Sequence, residues 1–317
     1  MMASQGRHHT SHEIDIDAPP GRVYRIIADA ARWPDFFGPT VHVAREALQE
    51  GAERLHIWAT ANGAVRSWTS RREFDEAARR VTFRQEVSTP PVAGMGGTWT
   101  VDERPGGGSR LVLTHDFDAV GDTAENVAWV ERATDRNSRT ELGNIKDLAE
   151  RWERLGELLF SFEDSVVVEG PAEAAYDFLH QAKKWPDRLP HVTRLDLTED
   201  VPDVQLMSMD TLAADGSTHR TESVRVCFPE ERRIVYKQLV PPSLMAAHTG
   251  EWSMRESGRG VRVTSRHTVV VKEEAVVKVL GPDATLDTAR NFIRAAAGGN
   301  SMATLTLLKE SVESGRA

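Results

Sequence analysis

The sequence is poor in cysteine, with Cys227 as its single thiol among 317 residues. One thiol forms neither an internal disulfide nor a thiolate metal site, which favours a reducing, cytoplasmic compartment. No apolar run reaches the roughly 20 residues of a transmembrane helix, so we expect no membrane partner. Lysine and arginine number 39 against 48 aspartates and glutamates. Nucleic-acid binding requires a basic surface, so this acidic balance argues against DNA or RNA as a partner.

Motifs for cofactors and metals are missing as well. We find no phosphate-binding loop, no Gly-x-Ser-x-Gly elbow and no metal-spaced pair of histidine and carboxylate, so we expect no cofactor and no metal. His8, His9 and His12 fall within the first dozen residues, which we expect to form an unstructured terminus. Cys227 lies on a predicted strand after Ser223 and is expected to pack in the core.

The chain contains an internal repeat. The sequence Trp-Pro-Asp at 33–35 returns 152 residues later at 185–187. Further pairs share this offset or one residue more: Pro19 with Pro171, Tyr24 with Tyr176, Trp99 with Trp252, and His115 with His267. A typical domain has about 150 residues. The repeat therefore predicts two diverged copies of one fold, at residues 11–159 and 160–317, joined near residues 160–164.

Each copy reads as several strands followed by one long helix. Alternation of apolar and polar residues predicts strands at 13–17, 41–47, 54–59, 64–74, 80–87, 97–103 and 109–118, with a flexible segment at 90–97. Apolar residues three and four apart predict helices over 125–160 and 286–313. We therefore predict an α+β fold in which a curved antiparallel sheet holds a long helix. A bent sheet cannot pack flat along a rod, so a cavity remains between them.

One strand places polar side chains on the face that holds a tryptophan. Alternation puts Arg66, Trp68, Ser70 and Arg72 together on that face. A buried guanidinium and hydroxyl are costly unless they are paired or used, so this face is a candidate site. The alternative is a rim position with a snorkelling arginine.

Histidines take equivalent inward positions in both copies. His115 shares a strand face with Leu113 and Phe117, and His267 shares one with Val263 and Val269. A histidine that faces a cavity can act as a general acid or base near neutral pH. The alternative is a structural histidine with its hydrogen bonds satisfied.

Aromatic residues are candidates for the wall of the first cavity: Trp33, Trp68 and Trp99, together with Met95. Three indoles beside an arginine suit a flat, oxygen-rich ligand better than a lipid tail. The alternative is that some of them are ordinary core residues.

These segments resemble the aromatase/cyclases of bacterial type II polyketide synthases, which belong to the Bet v 1/START-like helix-grip superfamily. The resemblance rests on four segments and on the start of a helix: Trp33-Pro-Asp-Phe-Phe, Val65-Arg-Ser-Trp-Thr-Ser-Arg-Arg72, Met95-Gly-Gly-Thr-Trp99, Thr114-His-Asp-Phe-Asp118 and Asn137-Ser-Arg139. It covers nearly the whole chain after residue 12. The doubling, with Asn300-Ser301 in the second copy, resembles the didomain subclass, which implies two tandem helix-grip domains.

The resemblance also implies a site in each domain. Arg72, Ser70 and His115 are the implied catalytic residues. Trp33, Trp68, Met95 and Trp99 are the implied substrate-binding residues, and Arg66 joins them as a substrate-binding candidate from the alternation of its strand. The matching pocket of the second domain consists of Ser223, Arg225, His248, Trp252 and His267.

The implied reaction is first-ring (C7–C12) aldol cyclisation with dehydrative aromatisation of a poly-β-ketone, without a cofactor. The substrate is expected on an acyl carrier protein beside other synthase subunits, docked through a basic patch of Arg71, Arg79 and Arg80. Arg72 is expected to stabilise the alkoxide, and His115, with Ser70 or water, to move the protons of dehydration. We expect Arg72→Ala to leave the fold intact. The alternative is a non-catalytic START-like module that binds or transfers a small molecule or lipid.

Overall fold

The computed structural model describes residues 7–61, 63–212, 216 and 218–315. The chain divides into two compact units, residues 1–154 and 155–317, so the contact boundary lies five residues before the predicted one. Each unit contains one seven-stranded antiparallel sheet and one long helix near its end. The predicted α+β fold of two tandem domains is thereby confirmed.

The first domain has its strands in the spatial order β1-β7-β6-β5-β4-β3-β2. These strands are β1 (His8–Ile16), β2 (Thr40–Gln49), β3 (Ala52–Ala61), β4 (Ala64–Asp75), β5 (Arg80–Gln85), β6 (Val92–Glu103) and β7 (Ser109–Ala119). Its helices are α1 (Pro20–Ala28) and α2 (Trp33–Phe36), between β1 and β2, and α3 (Ala124–Glu150) and α4 (Trp152–Leu158), after β7. Proline at the first position of α1 fits a helix start, and the Thr123 hydroxyl caps α3 by accepting from the Asn126 amide.

The second domain repeats this arrangement, in the order β8-β14-β13-β12-β11-β10-β9. Its strands are β8 (Leu159–Val168), β9 (Val192–Val201), β10 (Val204–Leu212), β11 (Thr218–Phe228), β12 (Arg233–Val240), β13 (Met245–Ser257) and β14 (Gly260–Val271). Its helices are α5 (Ala172–His180), α6 (Trp185–Arg188), α7 (Glu273–Leu280) and α8 (Leu286–Glu313). The predicted bounds of α8 are confirmed, and a capping box of Thr285 and Thr288 starts it.

Several predicted boundaries are wrong. The N-terminal segment is ordered from His8, because β1 pairs with β7 along its whole length. In place of the single helix predicted over 125–160, the structure has two helices with Arg151 between them. The predicted joint at 160–164 is part of β8. The predicted flexible segment at 90–97 contributes to β6 from Val92 onward.

Cys227 lies in the main core of the second domain, as predicted, with 4 % of its surface exposed. Burial raises the pKa of its thiol to about 11, so it stays protonated at neutral pH. Among the helices of the described residues, none is both long enough and apolar enough to cross a membrane.

Candidate active site

A row of directly paired residues crosses the first sheet and includes Arg72 and His115, the two main candidates from the sequence. Strand pairing runs from Glu53 through Arg72, Phe83, Gly97 and His115 to Thr10. Directly paired residues point to the same face of a sheet, so this row lies on the inward face. Arg72 and His115 are three strands apart, a backbone separation of about 14 Å.

The second sheet carries the matching row. It runs from Gln205 through Arg225, Tyr236, Gly250 and His267 to Phe162. Three of its six positions keep the residue type of the first row, namely the arginine, the glycine and the histidine. The other three differ, and these differences set the chemistry of the two interiors apart.

The glycine of each row makes room for the aromatic ring beside it. A Cβ atom on Gly97 would lie 2.7 Å from the Phe83 ring, and one on Gly250 would lie 2.3 Å from the Tyr236 ring. Both distances are shorter than real contacts of a Cβ atom. Phe83 therefore lies across Gly97 and meets His115 edge to face, with 5.6 Å between ring centroids.

Arg72 is buried, and most of its N–H groups donate hydrogen bonds to other groups of the protein. Its Nε and Nη2 donate to Glu53 Oε1 at 3.0 and 2.6 Å. Its Nη1 and Nη2 also donate to the carbonyls of Ile27 and Ala28, at 2.8 and 2.6 Å, which ties β4 to the end of α1. A guanidinium has five N–H groups, so one on Nη1 remains. In contrast to the expectation from the sequence, Arg72→Ala should destabilise the fold, because this change removes the guanidinium partner of the buried Glu53 carboxylate.

Arg225 has no such carboxylate, since Gln205 occupies the position of Glu53. Its Nη2 donates to the Leu179 carbonyl at 2.6 Å, and its buried Nη1 has no hydrogen-bond partner in the described residues. The guanidinium lies over the Trp185 ring at 5.0 Å. Burial lowers the pKa of Arg225, so the second domain holds this cation at an energetic cost.

Around His115, the interior of the first domain leaves polar atoms unused. Among the described residues of the first domain, the buried atoms without a hydrogen-bond partner include Thr10 Oγ1, His12 Nδ1, His115 Nδ1 and Ser138 Oγ. Burial, followed by the charge of His12, lowers the pKa of His115 to about 4, so its imidazole is neutral at pH 7. A cleft of about 310 Å³ reaches His115 from the outer face of the sheet. Most of its lining residues alternate with the inward row: His9, Ser11, Thr98, Thr114 and Asp116. Buried polar atoms without partners are rare and point to a bound ligand or solvent.

His12 is a site residue that the sequence analysis missed. Its Nε2 lies 2.9 Å from Asp135 Oδ1 of α3, and its side chain is only 9 % exposed. In sequence the two residues are 123 positions apart. Alternation through residues 8–16 was the available signal, since it places His12 on the inward face together with Ile14 and Ile16.

In the second domain the equivalent polar atoms bond with one another. Ser301 Oγ lies 2.8 Å from His267 Nε2, and His267 Nδ1 lies 2.9 Å from His248 Nε2. His248 Nδ1 lies 2.9 Å from Gln238 Oε1, which closes the chain. The Tyr236 hydroxyl adds a contact of 3.0 Å to His267 Nδ1, where Phe83 has none to offer His115. The predicted pocket residues Ser223 and Trp252 are buried as well.

The remaining predicted residues of the first domain fall into separate groups. Trp33 and Trp68 pack on one apolar cluster, and Met95 packs on another around Phe117. Trp99 is buried with 6 % exposed. Arg66 is exposed near the start of β4 and stands apart from these residues.

Ser70 is buried and donates to the Arg84 carbonyl at 3.3 Å. Because two strands, β5 and β6, lie between β4 and β7, the structure does not bring Ser70 next to His115, contrary to the expected pairing of the two.

The expected basic patch is mostly neutralised. Arg71 pairs with Glu73 at 3.1 Å, and Arg80 pairs with Asp75 at 2.7 Å. Arg79 instead donates from Nε to the Val101 carbonyl and lines a cleft of about 410 Å³.

One group of side chains in the described residues could hold a cation. Ligand atoms of His180, Glu199 and Asp203 lie within 4.8 Å of one another. Glu199 already accepts from the Asp203 amide at 3.0 Å and from Gln205 Nε2 at 3.1 Å. The group contacts the inward row of the second domain through Gln205.

Residues 7–150 and 160–313 each match the family model described as polyketide cyclase / dehydrase and lipid transport. The chain belongs to this family. It is 42% identical over 307 residues to the granaticin polyketide synthase bifunctional cyclase/dehydratase of Streptomyces violaceoruber, covering 96% of this chain and 94% of that protein. It is 43% identical over 314 residues to the actinorhodin polyketide synthase bifunctional cyclase/dehydratase of Streptomyces coelicolor, covering 96% of each.

Among solved structures, the chain is similar to the di-domain ARO/CYC BexL from the BE-7585A biosynthetic pathway. The two are 48% identical and superpose with a TM-score of 0.89, over 96% of this chain and 99% of that one. These matches confirm the expected family, the tandem helix-grip fold and an enzyme of the cyclase/dehydratase class.

Proposed function

We propose that the first domain of this polyketide cyclase/dehydratase is its reaction site. There it closes the first ring (C7–C12) of a poly-β-ketone and aromatises that ring by loss of water. The observation that carries the proposal is the set of four buried polar atoms on β1, β7 and α3 that have no partner in the described residues, at the His115 end of the inward row that also holds Arg72. A poly-β-ketone offers a carbonyl oxygen at every second carbon, which matches such a lining.

Ring closure needs mainly proximity, because the methylene groups between carbonyls are already acidic. The attacked carbonyl becomes an alkoxide, and the remaining N–H of Arg72 Nη1 supplies a charged donor to it. Glu53 and the two α1 carbonyls fix the guanidinium in place, so this donor is held in position before the substrate arrives. Trp33, Trp68, Met95 and Trp99 are the proposed substrate-binding wall, and exposed Arg66 is kept at the rim.

His115 acts in this proposal on a different part of the substrate than Arg72. The backbone distance of about 14 Å between them suits two oxygens of one extended chain. With its pKa near 4, His115 is neutral at pH 7 and serves as a hydrogen-bond donor to a carbonyl oxygen. Ser70, which already donates to the Arg84 carbonyl, contributes by shaping the wall beside Arg72.

The second domain has a structural role in this proposal. Ser223, Arg225, His248, Trp252 and His267 fill its interior, and the histidines satisfy one another along the chain from Gln238 to Ser301. This chain leaves none of its own histidine nitrogens for a substrate oxygen, although Arg225 Nη1 of the same row has no partner within the described residues.

An acidic acyl carrier protein in the cytoplasm is the proposed substrate carrier. The cleft of about 410 Å³ supports a docking place, because Arg25 and Arg79 line it with Glu76, beside Arg22, which pairs with Glu153 at 2.5 Å. At the position of Gly21 in this cleft the second domain has Glu173, which accepts from Arg232. Docking of this kind weakens as salt rises, and Arg25→Glu should weaken it further, whereas Arg66→Glu should not.

Reconstitution with a minimal polyketide synthase, with and without its ketoreductase, tests the proposal. Wild-type protein should give the C7–C12 aromatised product by mass spectrometry and NMR. His115→Leu should lower that product by about 100-fold. His267→Leu is the matched control and should retain it per folded molecule.

Equal loss in both variants would overturn the assignment to the first domain. Unchanged spontaneous products with wild-type protein, together with tight binding of an aliphatic lipid, would favour the binding or transfer alternative.

A further inference from the structure

Two side chains from distant parts of the first domain form a histidine–carboxylate pair at the edge of its polar interior. His12 of β1 and Asp135 of α3 approach to 2.9 Å between Nε2 and Oδ1. We propose that His12 is the base that takes the carbon-bound proton in the dehydration, and that Asp135 is its positioning residue. This inference rests on the function proposed above and assigns a further catalytic residue to the same site.

Nδ1 of His12 is the ring nitrogen that this proposal assigns to the substrate. Nδ1 is fully buried and has no partner in the described residues, although Nε2 on the other side of the ring meets the carboxylate. Thr10 pairs directly with His115 across the strands, so His12, two residues further on β1, lies diagonally beside His115 on the same face. Ser138 follows Asp135 by one helical turn, which completes the polar lining from the side of α3.

Asp135 fixes the tautomer that the reaction needs. An ionised carboxylate only accepts hydrogen bonds, so the proton of the neutral imidazole resides on Nε2, and Nδ1 keeps its lone pair toward the interior. Two bonds of 3.1 Å from Arg139 Nε hold the carboxylate in place. Arg139 and, after it, His12 hold the pKa of Asp135 below its ordinary value, so it stays ionised.

In the proposed dehydration one residue, His12, both takes and returns the proton. His12 Nδ1 takes the proton from the ring carbon next to the carbinol carbon, and the C–H electron pair becomes the new carbon–carbon double bond. The carbinol C–O bond breaks, and its electron pair leaves with the hydroxyl group. That hydroxyl takes the same proton back from His12 Nδ1 and departs as water, which returns the imidazole to its neutral form. His115 meanwhile donates to the neighbouring carbonyl, where the negative charge develops.

A purely structural link would not need a histidine. The second domain joins the equivalent strand and helix through Asp164 and Arg294, with bonds of 2.7 and 3.0 Å. Asp164 stands 152 residues after His12, at the matching position of its strand. That ion pair fastens the helix but has no nitrogen with a free lone pair. The histidine of the first domain therefore supplies a proton acceptor at a position where the second domain has only an ion pair.

The test compares His12→Asn with His8→Asn in the full-length chain. His8 lies on the same strand and also pairs with an aspartate, Asp122, at 2.7 Å, but at a more exposed position. In the reconstituted synthase, His12→Asn should slow dehydration about 100-fold or more, so that the cyclised product accumulates with one water still bound. His8→Asn should give the wild-type ratio of dehydrated to undehydrated product.

Variants of Asp135 distinguish a role in positioning His12 from a role in holding α3 against the sheet. Asp135→Asn should lower kcat for dehydration at least tenfold with little change in KM, and Asp135→Glu should restore part of it. If His12 and Asp135 only fasten α3, their variants lower the melting temperature while the product ratio per folded molecule stays at the wild-type value, and the inference is overturned. If wild-type protein gives no cyclised product at all, the proposed function itself fails, which is a distinct result.

Discussion

Arg72 and Arg225 occupy the same place in their two sheets, but within the part of the chain that the structure describes only Arg72 has a carboxylate partner. Glu53 is 4 % exposed and shares two bonds with Arg72, and its second oxygen accepts from Arg45 at 2.7 Å. Gln205 stands at its place in the second domain. A buried charge is costly unless it is paired, so the first domain depends on this pair for stability in a way that the second does not.

Removing either member of this pair should destabilise the first domain. We expect Arg72→Ala to lower its free energy of unfolding by about 3 kcal/mol, because Glu53 then keeps only the half-exposed Arg45. Glu53→Gln should cost a similar amount. Urea unfolding followed by hydrogen exchange in β3 and β4 measures the effect. The double change Glu53→Gln with Arg72→Met should recover part of the loss, and strictly additive losses would contradict a coupled pair.

The residues that sequence reasoning missed share one property: each acquires its role from a partner far away in the chain. Arg72 and His115 stood out because a polar residue on an apolar strand face is visible locally. Glu53 and Asp135 are acidic residues among 48 acidic residues, and nothing in their neighbourhood marks them. Only the pairing of β3 with β4, and the packing of α3 on β1, selects these two.

At the scale of strands, the row across each sheet depends on one glycine. Gly97 allows β6 to pass under the Phe83 ring, between β5 and the strand that carries His115. A methyl group at this position would lie 2.1 Å from the Thr114 carbonyl oxygen as well as against the ring. Backbone cannot yield as a flexible side chain does, so the strand itself would have to move.

Gly97→Ala should therefore distort the site as well as the sheet. We expect a loss of about 1–3 kcal/mol in the free energy of unfolding, as for other overpacked positions, and a fall in product formation. Gly94→Ala on the same strand is the control, since its new methyl group would come no closer than 3.8 Å to the Asp118 carboxylate. Thermal unfolding and the reconstituted product assay measure both variants. Equal behaviour of the two would contradict the steric argument.

Element prediction succeeded where the apolar pattern was strong and failed where polar residues replaced it. The helix over 286–313 has both a regular apolar stripe and a capping box. The first strand was missed over residues 8–12 because its inward positions hold His8, Thr10 and His12 instead of aliphatic residues. Those polar residues face the interior that the proposed function needs, so the local pattern failed at the functional site.

For the whole molecule, buried neutral histidines couple folding to pH. Burial lowers the pKa of His115 in the first domain and of both His248 and His267 in the second. A folded-state pKa below the unfolded value of 6.5 means that the unfolded chain binds more protons between these two values. Stability is therefore fully present above about pH 6.5 and declines as the pH falls toward 4.

The second domain should lose more stability than the first over this range. Each buried histidine contributes up to about 1.4 kcal/mol per pH unit, and the second domain has two in its inward chain against one in the first. Urea unfolding of the full chain between pH 7 and pH 5, with hydrogen exchange to separate the domains, measures this slope. Exposed His9→Asn should leave the slope unchanged, and a stability independent of pH in this window would contradict the prediction.

The sequence by itself determined the repeat, the fold class and the inward faces, because strand alternation, helical periodicity and the 152-residue offset are local or internal properties of the chain. It therefore placed Arg72, His115 and His267 on inward faces without knowing what they meet. Only the tertiary structure decided that Arg72 is held by Glu53, that His12 meets Asp135, and that His267 closes a chain with Ser301. These pairings depend on strand register and on how each helix crosses its sheet, and residues far apart in sequence set both.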